Sequence, residues 1–243
     1  MNNLITEVEI KKLWNIYNMD WHDVNRDVNI VVGINGSGKS TILNAMYECL
    51  TNCDNVTTKY YLESMKLSFG EHYVDTKTGI SDGFNLPLAA QLDRETDTFA
   101  SISSKMKNLL TCGEDISGDL RKFADIINRL FKSTKKIFDE TDFSEIKFID
   151  VKNKTVGLKS LSLGEKQMLA FLYKVFLTRK KEYILFMDEP EYSLHIEWQE
   201  QLIDIIRELN PNCQLFLTTH SPNIFSNGWQ DKLQFIEDFT TEI

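Results

Sequence analysis

The stretch GINGSGKS, residues 33–40, constrains this chain more than any other. It fits G-x-x-x-x-G-K-[ST] in full. It follows the apolar run VNIVV at 28–32 and precedes Leu43, Met46, Tyr47 and Leu50, which recur at helical spacing. That order predicts a strand buried on both faces, a tight loop and a helix starting near Lys39. Glycines at 33, 36 and 38 let the backbone curl until its N–H groups converge on phosphate oxygens, and the helix N-terminus adds a favourable dipole. Asn35, Ser37 and Thr41 complete the cradle. Lys39 is then placed to bridge the β- and γ-phosphates of a nucleotide, and Ser40 to hold Mg²⁺.

The remainder of the chain reads as strand–helix alternation around a mainly parallel sheet, preceded by the strand-like ITEVEI and LWNIYNMDW. Residues 51–118 show few periodic runs. A helix is expected from Asp119 to about Ile137, with short strands at Ile146–Val151 and Thr155–Leu158. A strongly apolar helix follows from Leu163 to Leu177, then a strand at Tyr183–Met187. A further helix carries Leu202, Ile205, Ile206 and Leu209 and is closed by Pro211; QLFLTT is one more buried strand. These elements make a single α/β domain over 1–243, with N-terminal antiparallel strands and a helical lid inserted at roughly 92–165.

Three further segments carry chemistry. ILFMDEP sets Asp188 and Glu189 just after an apolar strand, where Asp188 can orient the Mg²⁺ shell and Glu189 can position and polarise an attacking water. Without the phosphate loop, two such carboxylates would more simply be a solvated turn. TTHSP puts His220 at another strand end, the place where open α/β sheets hold ligands; a turn-capping histidine is the alternative. Ser162-x-x-Glu165 in LSLGEKQ is a capping box, and a capped helix start is also an anion site.

A phosphate loop, an L-S-x-G-[EQ] segment, an apolar strand ending in Asp-Glu and a strand-end His, in that order, resemble the ABC-type ATPases. The resemblance implies a P-loop NTPase with an ABC-type head, binding ATP and Mg²⁺. It further implies that Ser162 and Gly164 complete the nucleotide site of a second copy. DEPEYSLHIEWQ is similar to the D-E-P-E-x-x-L-H form of the soluble RecF-, SMC- and OLD-like branch, several of whose members act in DNA repair or phage defence. Leu163, Glu165 and His195 depart from the transporter pattern, and Ser193–His195 would cross the dimer seam. The family's Mg²⁺-contacting glutamine is assigned to Gln91, with an exposed loop glutamine as the alternative. Lys12 and Trp14 occupy the strand turn expected to contact adenine and phosphate, although a core tryptophan explains Trp14 equally well.

Composition bears on partners. Lys and Arg total 27 against 36 Asp and Glu, giving a net charge of −9, so a generally basic nucleic-acid binder is not indicated. Four cysteines without a matching metal-ligand pattern are expected to be core or incidental thiols of a cytoplasmic protein. The N-terminus lacks signal-peptide character and no apolar run reaches membrane-spanning length, so direct membrane insertion is not expected. With no stretch left for an appended nuclease, the expected role is a dimeric ATP-driven switch acting on a separately encoded effector, a nuclease or toxin in bacterial antiphage defence. A clamp on duplex DNA and the ATP-binding subunit of a transporter are the alternatives.

Overall fold

The computed structural model of the chain describes residues 3–92 and 99–243. The first residues expected of the lid, 93–98, lie outside the described residues. In chain order, β1 (Glu7–Leu13), β2 (Tyr17–Trp21) and β3 (Val28–Val32) lead through the glycine loop to α1 (Lys39–Thr51) and the short α2 (Val56–Lys59). Strands β4 (Ser64–Phe69), β5 (His72–Asp75), β6 (Gly79–Ile80) and β7 (Ala89–Gln91) follow. Then come α3 (Phe99–Thr111), α4 (Ser117–Phe131), β8 (Lys136–Phe138), β9 (Lys147–Asp150), β10 (Thr155–Gly157) and α5 (Leu163–Leu177). The chain closes with β11 (Tyr183–Asp188), α6 (Ile196–Gln199), α7 (Leu202–Leu209), β12 (Cys213–Thr218), β13 (Leu233–Phe235) and β14 (Thr240–Glu242). Two compact units result: Met1–Asp93, Lys180–Pro190 and Asn212–Ile243 form one, and Arg94–Arg179 with Glu191–Pro211 the other.

The first unit contains two sheets. Its five-stranded sheet has the order β13-β3-β12-β11-β7, with every pair parallel. The central strands read VNIVV, YILFMD and CQLFLT because both faces are covered and an alternating pattern would put polar groups in the core. Asn29 and Gln214 are polar groups within these strands, and both are hydrogen-bonded, Asn29 to the Asn25 N–H and to the Asn25 carbonyl. Gln214 accepts from the Ile5 N–H at 2.8 Å and donates to the Ile5 and Asn25 carbonyls, tying the N-terminal segment to the sheet. The six-stranded sheet, β14-β2-β1-β4-β5-β6, pairs antiparallel. A core of Ile, Leu, Met and aromatic side chains joins them, with Phe186 stacked on Phe216 at 5.4 Å and Trp21 edge-on to Phe216.

In the second unit α5 is buried along most of its length, as its apolar sequence demands. Phe123 of α4 stacks on Phe176 of α5 at 4.4 Å, while Phe131 sits between Phe148 and Trp198. The Trp198 indole donates to the Leu130 carbonyl at 3.1 Å. A three-stranded antiparallel sheet, β10-β9-β8, completes this unit.

Two expected elements differ. LWNIYNMDW is not one strand: Lys12, Trp14 and Asn15 adopt φ of 52–58°, and the chain reverses there into the β1–β2 hairpin. The helix expected to reach Ile137 ends at Phe131, and a turn at Lys132–Lys135, with Lys135 at φ 55°, sends the chain back as β8. Packing of Phe131 on Phe148 rewards that reversal, and helical periodicity alone carries no record of it. No helix among the described residues is long and apolar enough to cross a membrane.

Candidate nucleotide site

The glycine loop leaves the end of β3 and enters α1 at Gly38, whose φ of 99° is left-handed and closed to most side chains. Gly36 is also left-handed, at φ 82°. Gly33 is required by proximity instead, since a Cβ there would lie 2.6 Å from Ile236 Cγ2. No side chain caps α1, so the first N–H groups of the helix are not satisfied by a cap of their own. Lys39, a residue only 5% exposed, donates through its ammonium to the Gly33 and Ile34 carbonyls at 3.0 Å each. Ser37 Oγ is buried in the same loop with no hydrogen-bond partner. A buried cation, an orphaned buried hydroxyl and uncapped helix N–H groups all fit a phosphate chain.

Around this loop the parallel strands deliver the remaining groups at their C-terminal ends. Ser40 Oγ donates to Asp188 Oδ1 at 2.8 Å, and Thr218 Oγ1 donates to the same oxygen. Glu189 takes a left-handed backbone, φ 44°, held by its N–H donating to the Thr218 carbonyl at 3.0 Å. A strained non-glycine residue of this kind persists only where its surroundings over-determine it. Its carboxylate Oε1 lies 3.2 Å from His220 Nε2. Gln91, at the end of edge strand β7, donates through Nε2 to Asn44 Oδ1, one helical turn beyond Ser40. No cluster of three or more His, Cys, Asp or Glu is present among the described residues. The Ser40–Asp188 pair instead suits Mg²⁺, which uses one or two carboxylates and takes its other ligands from phosphate and water.

Trp14 lies against the loop as well as the core: a Cβ on Gly38 would come within 3.0 Å of Trp14 Cη2. Lys12 is instead committed to Glu63 at 3.0 Å. Thr218 and Asn44 are the site residues that sequence reasoning missed; a threonine closing an apolar strand and an asparagine inside a helix carry no signal of their own.

The second unit holds the capped start of α5. Ser162 Oγ accepts the Glu165 N–H at 3.2 Å, and Glu165 Oε2 accepts the Ser162 N–H at 2.8 Å, so the capping box is reciprocal. Ser162 itself is exposed, with Gly164 in the first turn behind it. Both line a cavity of about 840 Å³ together with Tyr192, His195 and Trp198. Leu163 and Tyr192, which also line it, are 74% and 68% exposed, two large apolar side chains open to solvent beside a polar helix cap. Of Ser193 only the backbone is described. Burial raises the Glu165 carboxyl, but the Lys136 ammonium and the Ser162 N–H outweigh it and leave the group below its ordinary value.

This fold and this set of groups are those of an ABC-type ATPase head. The chain belongs to the family described as "AAA domain, putative AbiEii toxin, Type IV TA system", which matches residues 77–226. An ABC transporter A family member 7 from Dictyostelium discoideum is 37% identical over 112 residues, covering 46% of this chain and 12% of the relative. A retron Vc95 probable ATPase from Vibrio cholerae serotype O1 biovar El Tor is 25% identical over 128 residues, 46% of this chain and 25% of the relative. The chain therefore spans only a fraction of the length of these proteins. Among solved structures, an SMC head bound to the C-winged helix domain of ScpA superposes with a TM-score of 0.60 at 16% identity, covering 92% and 91% of the two chains.

Proposed function

We propose that the protein binds and hydrolyses ATP between two copies of itself, and that this dimer is a switch for a separately encoded effector in antiphage defence. The observation that carries the reading is the convergence of Lys39, the Ser40–Asp188–Thr218 cluster and the Glu189–His220 pair at the strand ends of one unit. The phosphates would be held by the N–H groups of Gly33–Thr41 and by Lys39, which would exchange its loop carbonyls for stronger anionic acceptors. Ser40 and Asp188 would hold Mg²⁺, with Gln91 beside them; the ion supplies charge neutralisation on the phosphate oxygens. Glu189 orients the attacking water and accepts its proton. His220 holds the Glu189 carboxylate and stands where the terminal phosphate is read. Such positioning and charge placement is most of what phosphoryl transfer asks of a protein.

Ser162 and Gly164 would complete the site of the second copy, and exposed Leu163 and Tyr192 beside them give that face apolar area for an interface. ATP would stabilise the closed dimer and hydrolysis would release it, which makes the assembly a switch. Similarity to a retron ATPase supports the defence role, with a nuclease or toxin as effector. The test is Glu189→Gln, which should retain ATP, accumulate dimers on size-exclusion chromatography and lose turnover by about 10²–10⁴-fold. Turnover at the wild-type rate in that variant refutes the assignment. Ser162→Arg should abolish hydrolysis while each monomer still binds nucleotide.

One observation favours a second reading, a clamp on duplex DNA. The turns bearing Lys132 and Lys135 and those bearing Lys152 and Lys154 fall at the same end of the β10-β9-β8 sheet, because Lys136 pairs with Asp150. All four lysines are exposed, a local basic edge on an acidic protein. ATP-dependent binding that weakens steeply with salt would favour this reading.

A further inference from the structure

Ser162 is held by Glu165, and Glu165 is in turn held from another element. Lys136, the first residue of β8, donates to Glu165 Oε1 while Oε2 of the same carboxylate accepts the Ser162 N–H. The Glu165 side chain is 5% exposed and that of Lys136 20%, so the pair is largely shielded from water and salt. A capping glutamate ordinarily faces solvent and is free to swing off. Here its second oxygen is tied down, and the Ser162 hydroxyl, bonded to the Glu165 N–H, inherits that constraint. Lys136 also lines the cavity next to Ser162, Leu163 and Gly164, with Ser133 and Thr134 of the preceding turn beside it.

We infer that Lys136 is a positioning residue for the α5 capping box: it fixes the Glu165 carboxylate, which fixes Ser162 in the geometry needed to reach the partner's terminal phosphate. This rests on the reading that Ser162 acts on nucleotide bound to a second copy. Lys136 touches no substrate in this scheme. It works through a carboxylate that would otherwise be both uncompensated and mobile, and leaving such a group buried without its cation disorders whatever it holds. Because Lys136 begins the small sheet, a partner that shifts β8 would loosen the cap and slow hydrolysis without touching the nucleotide.

The test uses the full chain with Lys136→Met, Lys136→Arg, Glu165→Gln, Ser162→Ala and the Lys136→Met/Glu165→Gln double variant. Turnover and KM for ATP are measured alongside nucleotide affinity and unfolding midpoint. Lys136→Met should lower kcat about tenfold, close to the loss of one helix cap, with nucleotide affinity unchanged, and Lys136→Arg should recover most of it. In the Glu165→Gln background the same change should cost less than about twofold, because the two residues act as one unit. If Lys136→Met lowers kcat equally in both backgrounds, or lowers nucleotide affinity in step with kcat, the positioning role is overturned. Should Lys136→Met fold poorly, Lys136→Gln with the same double-variant comparison decides the matter. Wild-type turnover in Ser162→Ala would instead sink the shared-site reading. A silent Lys136→Met beside an inactive Ser162→Ala sinks this inference alone.

Discussion

Gly38→Ala isolates the contact between the phosphate loop and the β1–β2 turn. At φ 99° and ψ 3° an alanine pays about 1–2 kcal/mol for a left-handed backbone. Its Cβ would also meet Trp14 Cη2 at 3.0 Å and Cζ3 at 3.3 Å, so the indole must move by a few tenths of an ångström. Overpacking of this order adds about 1 kcal/mol, for a total of about 2–3 kcal/mol. Gly36→Ala is the internal control: its φ is 82° but nothing lies within 4 Å of the added carbon, leaving only the backbone cost of about 1–2 kcal/mol. Urea unfolding of both variants should therefore separate them by about 1 kcal/mol in ΔG. Trp14→Ala in the Gly38→Ala background should recover that increment as a coupling energy, since the clash disappears with the ring. ATP affinity of Gly38→Ala should fall by at least tenfold, about 1.4 kcal/mol, if the strained loop no longer converges its N–H groups. Equal costs for the two glycines, with no coupling to Trp14, would refute the placement of the indole against the loop.

Two further outcomes follow from the ion pairs. The Arg179 side chain is 8% exposed, donates to Asp119 Oδ2 at 2.9 Å and lies 4.8 Å from the Phe176 ring. Arg179→Met should cost about 2–3 kcal/mol by denaturant titration, below the full cost of a broken buried pair because Asp119 is 29% exposed. Arg179→Lys should recover little, because it loses both the planar fork and the stacking. At low pH, the carboxyls of Asp27 and Glu165 lose their advantage. For each, burial raises the group, but a lysine (Lys232 and Lys136 respectively) and a backbone N–H outweigh it and bring it below its ordinary value. A depressed carboxyl contributes stability above its unfolded value, 3.8 for Asp27 and 4.5 for Glu165, and loses it as pH falls through the folded value. Thermal midpoints should hold above about pH 5 and fall below about pH 4.5, and Lys136→Met should flatten part of that slope. A midpoint independent of pH down to 3 would contradict it.

The sequence determined the elements whose chemistry is local. Strand, glycine loop and helix are written in VNIVVGINGSGKS because left-handed backbone, buried strand and helix start each demand particular residue types. The capping box of α5 was legible for the same reason: Ser162 and Glu165 are three residues apart and satisfy one another. Asp188, Glu189 and His220 were legible as strand ends. Tertiary structure alone decided which groups meet. Thr218 bonds Asp188 across 30 positions, Gln91 finds Asn44 across 47, and Lys136 reaches Glu165 across 29. Each of those pairs depends on parallel register or on sheet-to-helix packing, and a lysine beginning a short strand looks like any surface lysine until its partner arrives. Helix boundaries failed where packing overrode periodicity, as at Phe131, whose ring is satisfied by Phe148 rather than by another helical turn. Local physics wrote the phosphate loop and the caps; the burial of aromatic faces and the pairing of distant charges wrote the rest.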